Sequence, residues 1–346
     1  MRRHLTWVAT LALGALFMSA DQSTAATQYQ ILGFEDLDGW ADDDHQAALD
    51  VFLETCPDIH DPEWASLCAL ATSQPNARTY FELFFRPVLI NGDAPALFTG
   101  YYEPELKGSR YRGGPYQHPL YRLPPEIEPG TPWHSRETIE NEGLLKGRGL
   151  EIAYVNDPVD VFFLQVQGSG RVALEEGGAI RVGYAGKNGR DYRSIGQELV
   201  RRGVYQPHQV SAQVIKNWVR SNPVDGRALL HHNPSYVFFR EVSEVPQHKG
   251  PLGAMNRSIT PMRSIAVDPA FTKLGAPVWI EKGGKEPLNR LMIAQDTGSA
   301  IKGAQRADVY FGTGSQAGRK AGTIKDPGRL VVLMPIQTAY DLAPDS

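Results

Sequence analysis

Hydrophobic and polar positions change rhythm along this chain. From Asp44 to Ala71 the apolar residues Ala47, Ala48, Val51, Phe52 and Leu53, then Trp64, Leu67, Cys68 and Leu70, recur at helical spacing, with Pro57 and Pro62 breaking the run into pieces. "TYFELFFRPVLI" prolongs that helical character up to a turn at "NGD". From Phe98 the pattern shortens to apolar runs bounded by Gly and Pro: "LFTGYYEPEL", "HPLYRLP", "LEIAYVND", "VDVFFLQVQGSGRV" and "GAIRVGYAG", which predict strands. Helices interrupt them at "SIGQELVRRG", where Ser194 and Gln197 stand in capping-box register, and at "SAQVIKNWVRSNP", where Val214, Ile215, Trp218 and Val219 share a face. After "NPSYVFFRE", the runs "RSIAVDP", "APVWIEK", "RLMIAQD", "ADVYFG" and "RLVVLMP" predict a closing β unit. The expected class is mainly β with an α-helical N-terminal part.

Composition sharpens this picture in a few places. At 346 residues the chain exceeds one ordinary small domain. Its 34 Gly and 25 Pro require many turns, which suits a β architecture. A formal charge of −4 offers no footprint for nucleic acid. The start, "MRRHLTWVATLALGALFMSADQSTAATQ", sets Arg2 and Arg3 before an apolar stretch from Leu5 to Phe17 and small residues around Ser23 to Ala26. That is the layout of a secretory signal, cut after Ala25 or Ala26 with Ala20 as the alternative, and it is too short to span a bilayer. Export is expected, and with no cysteine near the cleavage region a lipid on an N-terminal Cys is not. In an oxidising compartment the two cysteines, Cys56 and Cys68, predict a small disulfide loop, with free buried thiols as the alternative.

Candidate chemistry gathers in the β blocks. Read as a strand, "VDVFFLQVQGSGR" lines up Phe163, Gln165 and Gln167 on one face and ends in the turn Gly168-Ser169-Gly170; the amides suit sugar hydroxyl and acetamido groups, or else form a solvated outer face. "FTGYYEPEL" presents paired tyrosines, and "GYAGKNGRDYRS" presents Lys187 and Tyr192 around an Asn188-Gly189 turn. In "RADVYFG" alternation buries Ala307, Val309 and Phe311 and turns Asp308 and Tyr310 the other way. A desolvated Asp308 suits a general acid, helped if a nearby Asp296 is ionised and opposed by Lys302; alternatively both aspartates serve as turn residues. Glu103, Glu105, Asp157, Asp160, Asp191 and Asp268 compete for the role, although Asp157 and Asp268 precede prolines, as turn initiators do. No Gly-x-Ser-x-Gly, Walker or His-Glu-x-x-His motif is present, and the 9 histidines lack metal-ligand spacing, His231-His232 reading as a solvated helix end. Neither a metal nor a cofactor is expected.

"FTGYYEPEL", "YRLP", "FFLQVQGSGRV", "VGYAGKNGRDYRSIG", "NPSYVFFRE" and "RLMIAQDTGSAIKGAQRADVYFGTGSQAGRKAG" occur in the order found in the membrane-bound lytic murein transglycosylase A family, which the chain resembles over roughly residues 95–335. The resemblance implies a double-psi β-barrel built from 27–103 and 233–346, behind a signal peptide at 1–26, with a second β domain inserted at 104–232. It implies a groove for peptidoglycan glycan strands, and cleavage of the β-1,4 bond between N-acetylmuramic acid and N-acetylglucosamine without water, leaving a 1,6-anhydro end. The single catalytic aspartate then falls on Asp308 and its supporting neighbour on Asp296. Thr99, Tyr101, Gln165, Gln167, Gly168, Ser169, Lys187 and Asn188 match positions facing the groove. The missing lipobox cysteine departs from the family's membrane anchor, so a periplasmic form, soluble or peripheral to the outer membrane, is expected. Other cell-wall enzymes are further candidate partners. A hydrolase using both aspartates and a non-catalytic murein-binding protein remain as alternatives.

Overall fold

The computed structural model describes residues 27–344 apart from 74, 75, 93 and 247; the expected signal segment lies outside the described residues. Helix starts follow local chemistry. Asp44, Asp61, Asn76, Ser135, Asp157, Ser194 and Ser211 each accept a backbone N–H from the first turn of the helix that follows, satisfying a donor the helix itself leaves orphaned. The helical front is His45–Thr55, Pro62–Ala71 and Ala77–Phe84. It is preceded by a strand, Gln28–Ile31, and the expected long helix through "TYFELFFRPVLI" stops at Phe84. There Pro87 disfavours helical backbone at Arg86, and Phe85–Asn91 continues as a strand. Cys56 and Cys68 are disulfide-bonded across this front, with Cα atoms 5.6 Å apart.

The strands form two sheets. The first runs, in spatial order, Gln28–Ile31, Phe85–Asn91, Gly328–Pro335, Pro277–Lys282, Leu288–Thr297, Ser264–Val267, Arg306–Thr313, Leu97–Glu103 and Lys325–Asp326. Ser264–Val267 is threaded between two later strands, parallel to one and antiparallel to the other, and Leu97–Glu103 lies parallel to Arg306–Thr313. Six strands nearly close into the double-psi barrel, whose core carries Trp279, Phe98, Val278, Ile280, Met292 and Val309 at 0% exposure. The second sheet has the order His118–Tyr121, Glu151–Val155, Glu105–Ser109, Gly170–Leu174, Ala179–Lys187 and Val237–Glu241. The chain leaves the barrel after Glu103 and rejoins it at Ser264. The helices Ile195–Arg201, Ala212–Ser221 and Pro223–His232 pack with Phe162 and Phe163 into a separate apolar cluster.

One predicted strand is a helix. Residues Pro158–Gln167 are α-helical: Asp157 caps the first turn, Pro158 occupies a position that needs no N–H, and Gly168 closes the last turn at φ +80°, donating to Leu164 O. A continuous apolar run is ambiguous by periodicity, and here the end signals decide. Gln165 and Gln167 therefore do not form a row along a strand.

Candidate functional site

Strand register builds the site. Asp308 lies directly opposite Thr99 on one side and Ala266 on the other, and Ala266 lies opposite Asp296. Thr99, Asp308, Ala266 and Asp296 thus form one row across four strands, and residues opposite one another share a face. Asp296 joins that row only because the ladder shifts: Ile265 pairs with Ala294 and Ala266 with Asp296, leaving Gln295 as the extra residue of a bulge. Without it, Asp296 would point to the other face. Ala266 contributes only a methyl group between the two carboxylates, and this keeps the space between them open. Gly100, next to Thr99, cannot carry a larger side chain, since a Cβ there would stand 2.7 Å from Ala321 Cα.

Asp308, Ala266 and Asp296 of this row stand on one wall of a cleft with an empty volume of about 870 Å³ including its open mouth. On that wall stand Tyr101, Ala266, Asp296, Asp308, Arg306 and the loop Thr297 to Ile301, whose small side chains leave the floor open. The facing wall comes from the inserted region: Arg136, Gln165, Val166, Gln167, Tyr192, Asn233, Ser235 and Val237. Among the described residues no cluster of His, Cys, Asp and Glu has the arrangement of a metal site.

The two carboxylates differ in their partners. Asp296 Oδ1 accepts the N–H groups of Ala254 and Thr297 at 3.0 and 2.9 Å, and its Oδ2 accepts the Tyr101 hydroxyl at 2.9 Å. Asp308 accepts one hydrogen bond, on Oδ1, from the Thr99 hydroxyl at 2.7 Å. Burial pushes both carboxyls up, each to about 6. Against it work Thr297 N–H, Tyr101 O–H and Ala254 N–H on Asp296, and on Asp308 the Thr99 hydroxyl and the Arg306 charge. Asp308 adds to the burial that raises Asp296, so the two carboxyls are coupled and raised alike; what distinguishes them is their donors, three on Asp296 and one on Asp308. Burial and Asp296 keep the Tyr101 phenol well above its usual range, so it stays a donor.

Among the sequence candidates Lys302, Tyr310 and His231 are corrected, and the others take the following places. Lys302 does not face Asp308; it lies 3.6 Å from Asp268, whose other oxygen accepts Gly303 N–H and pins the loop. Arg306 is the cation beside Asp308. Tyr310 is fully buried, its ring 5.3 Å from Tyr101, and does not line the cleft. Gln165 is 5% exposed and accepts from Arg136 at 2.5 Å, while Gln167 accepts Tyr102 N–H at 3.1 Å, so both amide oxygens are committed to the protein. Asn188 is wholly buried: its amide donates to His134 O and Pro234 O and accepts from Tyr236 N–H, which makes it an internal brace rather than a groove residue. Gly168 and Ser169 follow the helix end and Lys187 ends a strand; none of them lines the cleft. Thr99 stands beside Asp308 in the row and donates to it, and it is not among the residues that line the cleft. His231 is bonded to Glu140 at 2.9 Å rather than solvated.

Arg136 escaped sequence reading. It stands 2% exposed between the Phe162 and Tyr236 rings and donates to Glu140, Gln165, Asn233 O and Ser235 O. Its only local signal is a place one residue after the Ser135 cap, which says nothing of burial. Ala266 is equally silent in sequence, since its role comes from having strands on both sides.

Two family models match the chain: the MltA specific insert domain over residues 97–240 and the 3D domain over residues 263–334. The chain is 35% identical over 264 residues to the membrane-bound lytic murein transglycosylase A of Vibrio cholerae, a match spanning 72% of this chain and 69% of that protein. It is 38% identical over 246 residues to the protein of the same name from Escherichia coli K12, spanning 68% of this chain and 65% of the relative. The crystal structure of a membrane-bound lytic murein transglycosylase from Agrobacterium tumefaciens superposes with a TM-score of 0.81 at 32% identity, covering 91% of this chain and 99% of that one. The E. coli MltA structure with bound chitohexaose superposes at 0.72 with 28% identity, covering 89% and 94%. With its barrel, its insert and these relatives in agreement, the chain belongs to the membrane-bound lytic murein transglycosylase A family.

Proposed function

We propose that the chain cleaves the β-1,4 bond between N-acetylmuramic acid and N-acetylglucosamine in murein and leaves a 1,6-anhydro end, with Asp308 as acid and then base. The observation that carries this reading is the inequality of the two carboxylates. Asp308 belongs to the cleft wall and its Oδ2 has no hydrogen-bond partner among the described residues, whereas both oxygens of Asp296 accept from donors. A neutral Asp308 gives its proton to the leaving O4 as the bonding pair of C1–O4 moves onto that oxygen. The sugar's own C6 hydroxyl then attacks C1 and returns a proton to Asp308. No water is consumed, and one carboxyl group suffices where a hydrolase needs two. The intramolecular attack leaves the protein mainly the tasks of fixing the ring and excluding water. The chitohexaose bound to E. coli MltA supports an oligosaccharide as the ligand of this chain.

A hydrolase reading has one observation in its favour, since Asp296 shares a row with Asp308 across Ala266. Against it, Asp296 already accepts three hydrogen bonds, which favour its charged form but weaken it as a base toward a water. The mass of muropeptides released from purified murein separates the two: anhydro ends are lighter by one water, and mostly reducing ends sink the lyase reading. We further propose that the apolar N-terminal stretch exports the chain to the periplasm, where murein lies; among the described residues no helix is long and apolar enough to cross a membrane.

A further inference from the structure

The Thr99 hydroxyl has two neighbours. Arg306 Nη2 lies 2.8 Å from its oxygen, and Asp308 Oδ1 lies 2.7 Å away on the other side. A guanidinium only donates, so the Arg306 contact takes a lone pair of the Thr99 oxygen and leaves its single hydrogen for Asp308. Arg306 is itself held by the carbonyls of Leu97 at 3.2 Å and Ala307 at 2.6 Å, at the edge of the row. The direction of the chain is therefore fixed: Arg306 donates to Thr99, and Thr99 donates to Asp308 Oδ1.

We propose that Thr99, oriented by Arg306, is a positioning residue that reserves Asp308 Oδ1 as an acceptor and so places the transferable proton on Oδ2, the oxygen without a protein partner among the described residues. This rests on the proposed role of Asp308 and adds which oxygen works and what selects it. Thr99 then acts on Asp308 rather than on the sugar, in agreement with its absence from the residues that line the cleft. The same oxygen gives the proton to O4 and accepts it from O6, so no rotation of the carboxyl group is needed between the steps. The groups facing Asp308 are Thr99 and Tyr101 from the neighbouring strand, Arg306 and Tyr310 from its own, and Asp296 across Ala266. Arg136 stands on the far wall with its donors already engaged.

The test uses the full chain, a soluble fragment of murein glycan strands, and initial rates across pH for T99V, T99S, R306Q and D308N. T99V keeps the shape of the side chain and removes the donor. Its kcat is expected to fall about 10- to 100-fold with KM unchanged. The pH above which activity is lost moves upward, because the donor that favoured the carboxylate is gone. T99S restores rate and profile; R306Q shows a smaller fall in kcat. A T99V enzyme with wild-type kcat and profile overturns the proposal, as does one whose KM rises at constant kcat, which makes Thr99 a substrate contact. Circular dichroism melts identify any variant whose loss is one of folding, and T99S then decides: a T99S enzyme with altered kcat and profile overturns it. D308N separates the layers. If D308N turns over substrate, the proposed function itself fails; if D308N is inert and T99V is unaffected, only the positioning role fails.

Discussion

The two walls of the cleft are built on opposite terms. On the barrel wall a ladder register sets Thr99, Asp308, Ala266 and Asp296 in a row, and one carboxyl oxygen is left without a partner among the described residues. On the inserted wall the polar groups are numerous but committed to one another: Arg136 to Gln165, Glu140 and backbone carbonyls, Gln167 to Tyr102 N–H, Asn233 to the N–H groups of Arg193 and Ser235. The difference teaches that a count of polar side chains facing a cleft is a poor guide to chemistry. What matters is which atom keeps a free lone pair or proton once the protein's own bonds are made. Under the proposed function the barrel wall reacts and the inserted wall shapes.

The sharpest way to break that contrast is D308N, which keeps volume and removes the acid. We expect turnover of murein to fall on the order of 10²- to 10⁴-fold while sedimentation of the protein with murein is retained. Next comes the gap between the carboxylates. A266L fills it with a buried branched side chain, and activity is expected to fall on the order of 100-fold or more, with a cost of about 1–3 kcal/mol in urea unfolding from overpacking. A change on the inserted wall acts through stability instead. R136A removes a buried cation from Glu140 and Gln165 and leaves their acceptors unmatched, so unfolding free energy falls by roughly 3–5 kcal/mol. At temperatures where the variant is folded, kcat is expected to remain within a few-fold of the native value; a 100-fold loss there would place Arg136 among the reacting groups.

The smallest effect is the dependence on pH. Both carboxyls are raised from 3.8 to about 6 in the folded chain by burial, so the folded state binds more protons than the unfolded one between those values. Their contribution to stability is therefore largest below about pH 4 and declines as pH rises through about 6. D308N removes one titration, and its stability relative to the native chain should improve as pH rises across that window. Chemical denaturation at pH 4 and pH 7 measures the difference, and a relative stability that is flat in pH contradicts a buried, proton-binding Asp308. Activity should decline above about pH 6 as Asp308 loses its proton.

Much of this was legible in sequence. The tail strands fall where the runs "RSIAVDP", "APVWIEK", "RLMIAQD", "ADVYFG" and "RLVVLMP" place them, because short apolar runs between Gly and Pro have few other ways to be buried. The helices at Ile195 and Ala212 begin beside the serines that cap them. The misreading of Pro158–Gln167 had its correction in view: Asp157, Pro158 and Gly168 are helix-end signals, and they outweigh apolar alternation in a run this short. Lys302 went astray for another reason. Its nearness to Asp308 in sequence said nothing about direction, and the loop aims it at Asp268.

By itself, then, the sequence determined the β-rich class, most element positions, and the presence of two aspartates around a loop of small residues. Those follow from local propensity and from side chains that bond or bury near their own backbone. Only the tertiary structure decided that the aspartates differ in their hydrogen-bond partners. A one-residue bulge at Gln295 turns Asp296 onto the row, Tyr101 and two backbone N–H groups satisfy it, and Arg306 with Thr99 leaves Asp308 one free oxygen. Each of those partners but Thr297 and Arg306 comes from a distant part of the chain, and even these two are placed by strand pairing, a long-range contact that local patterning does not encode.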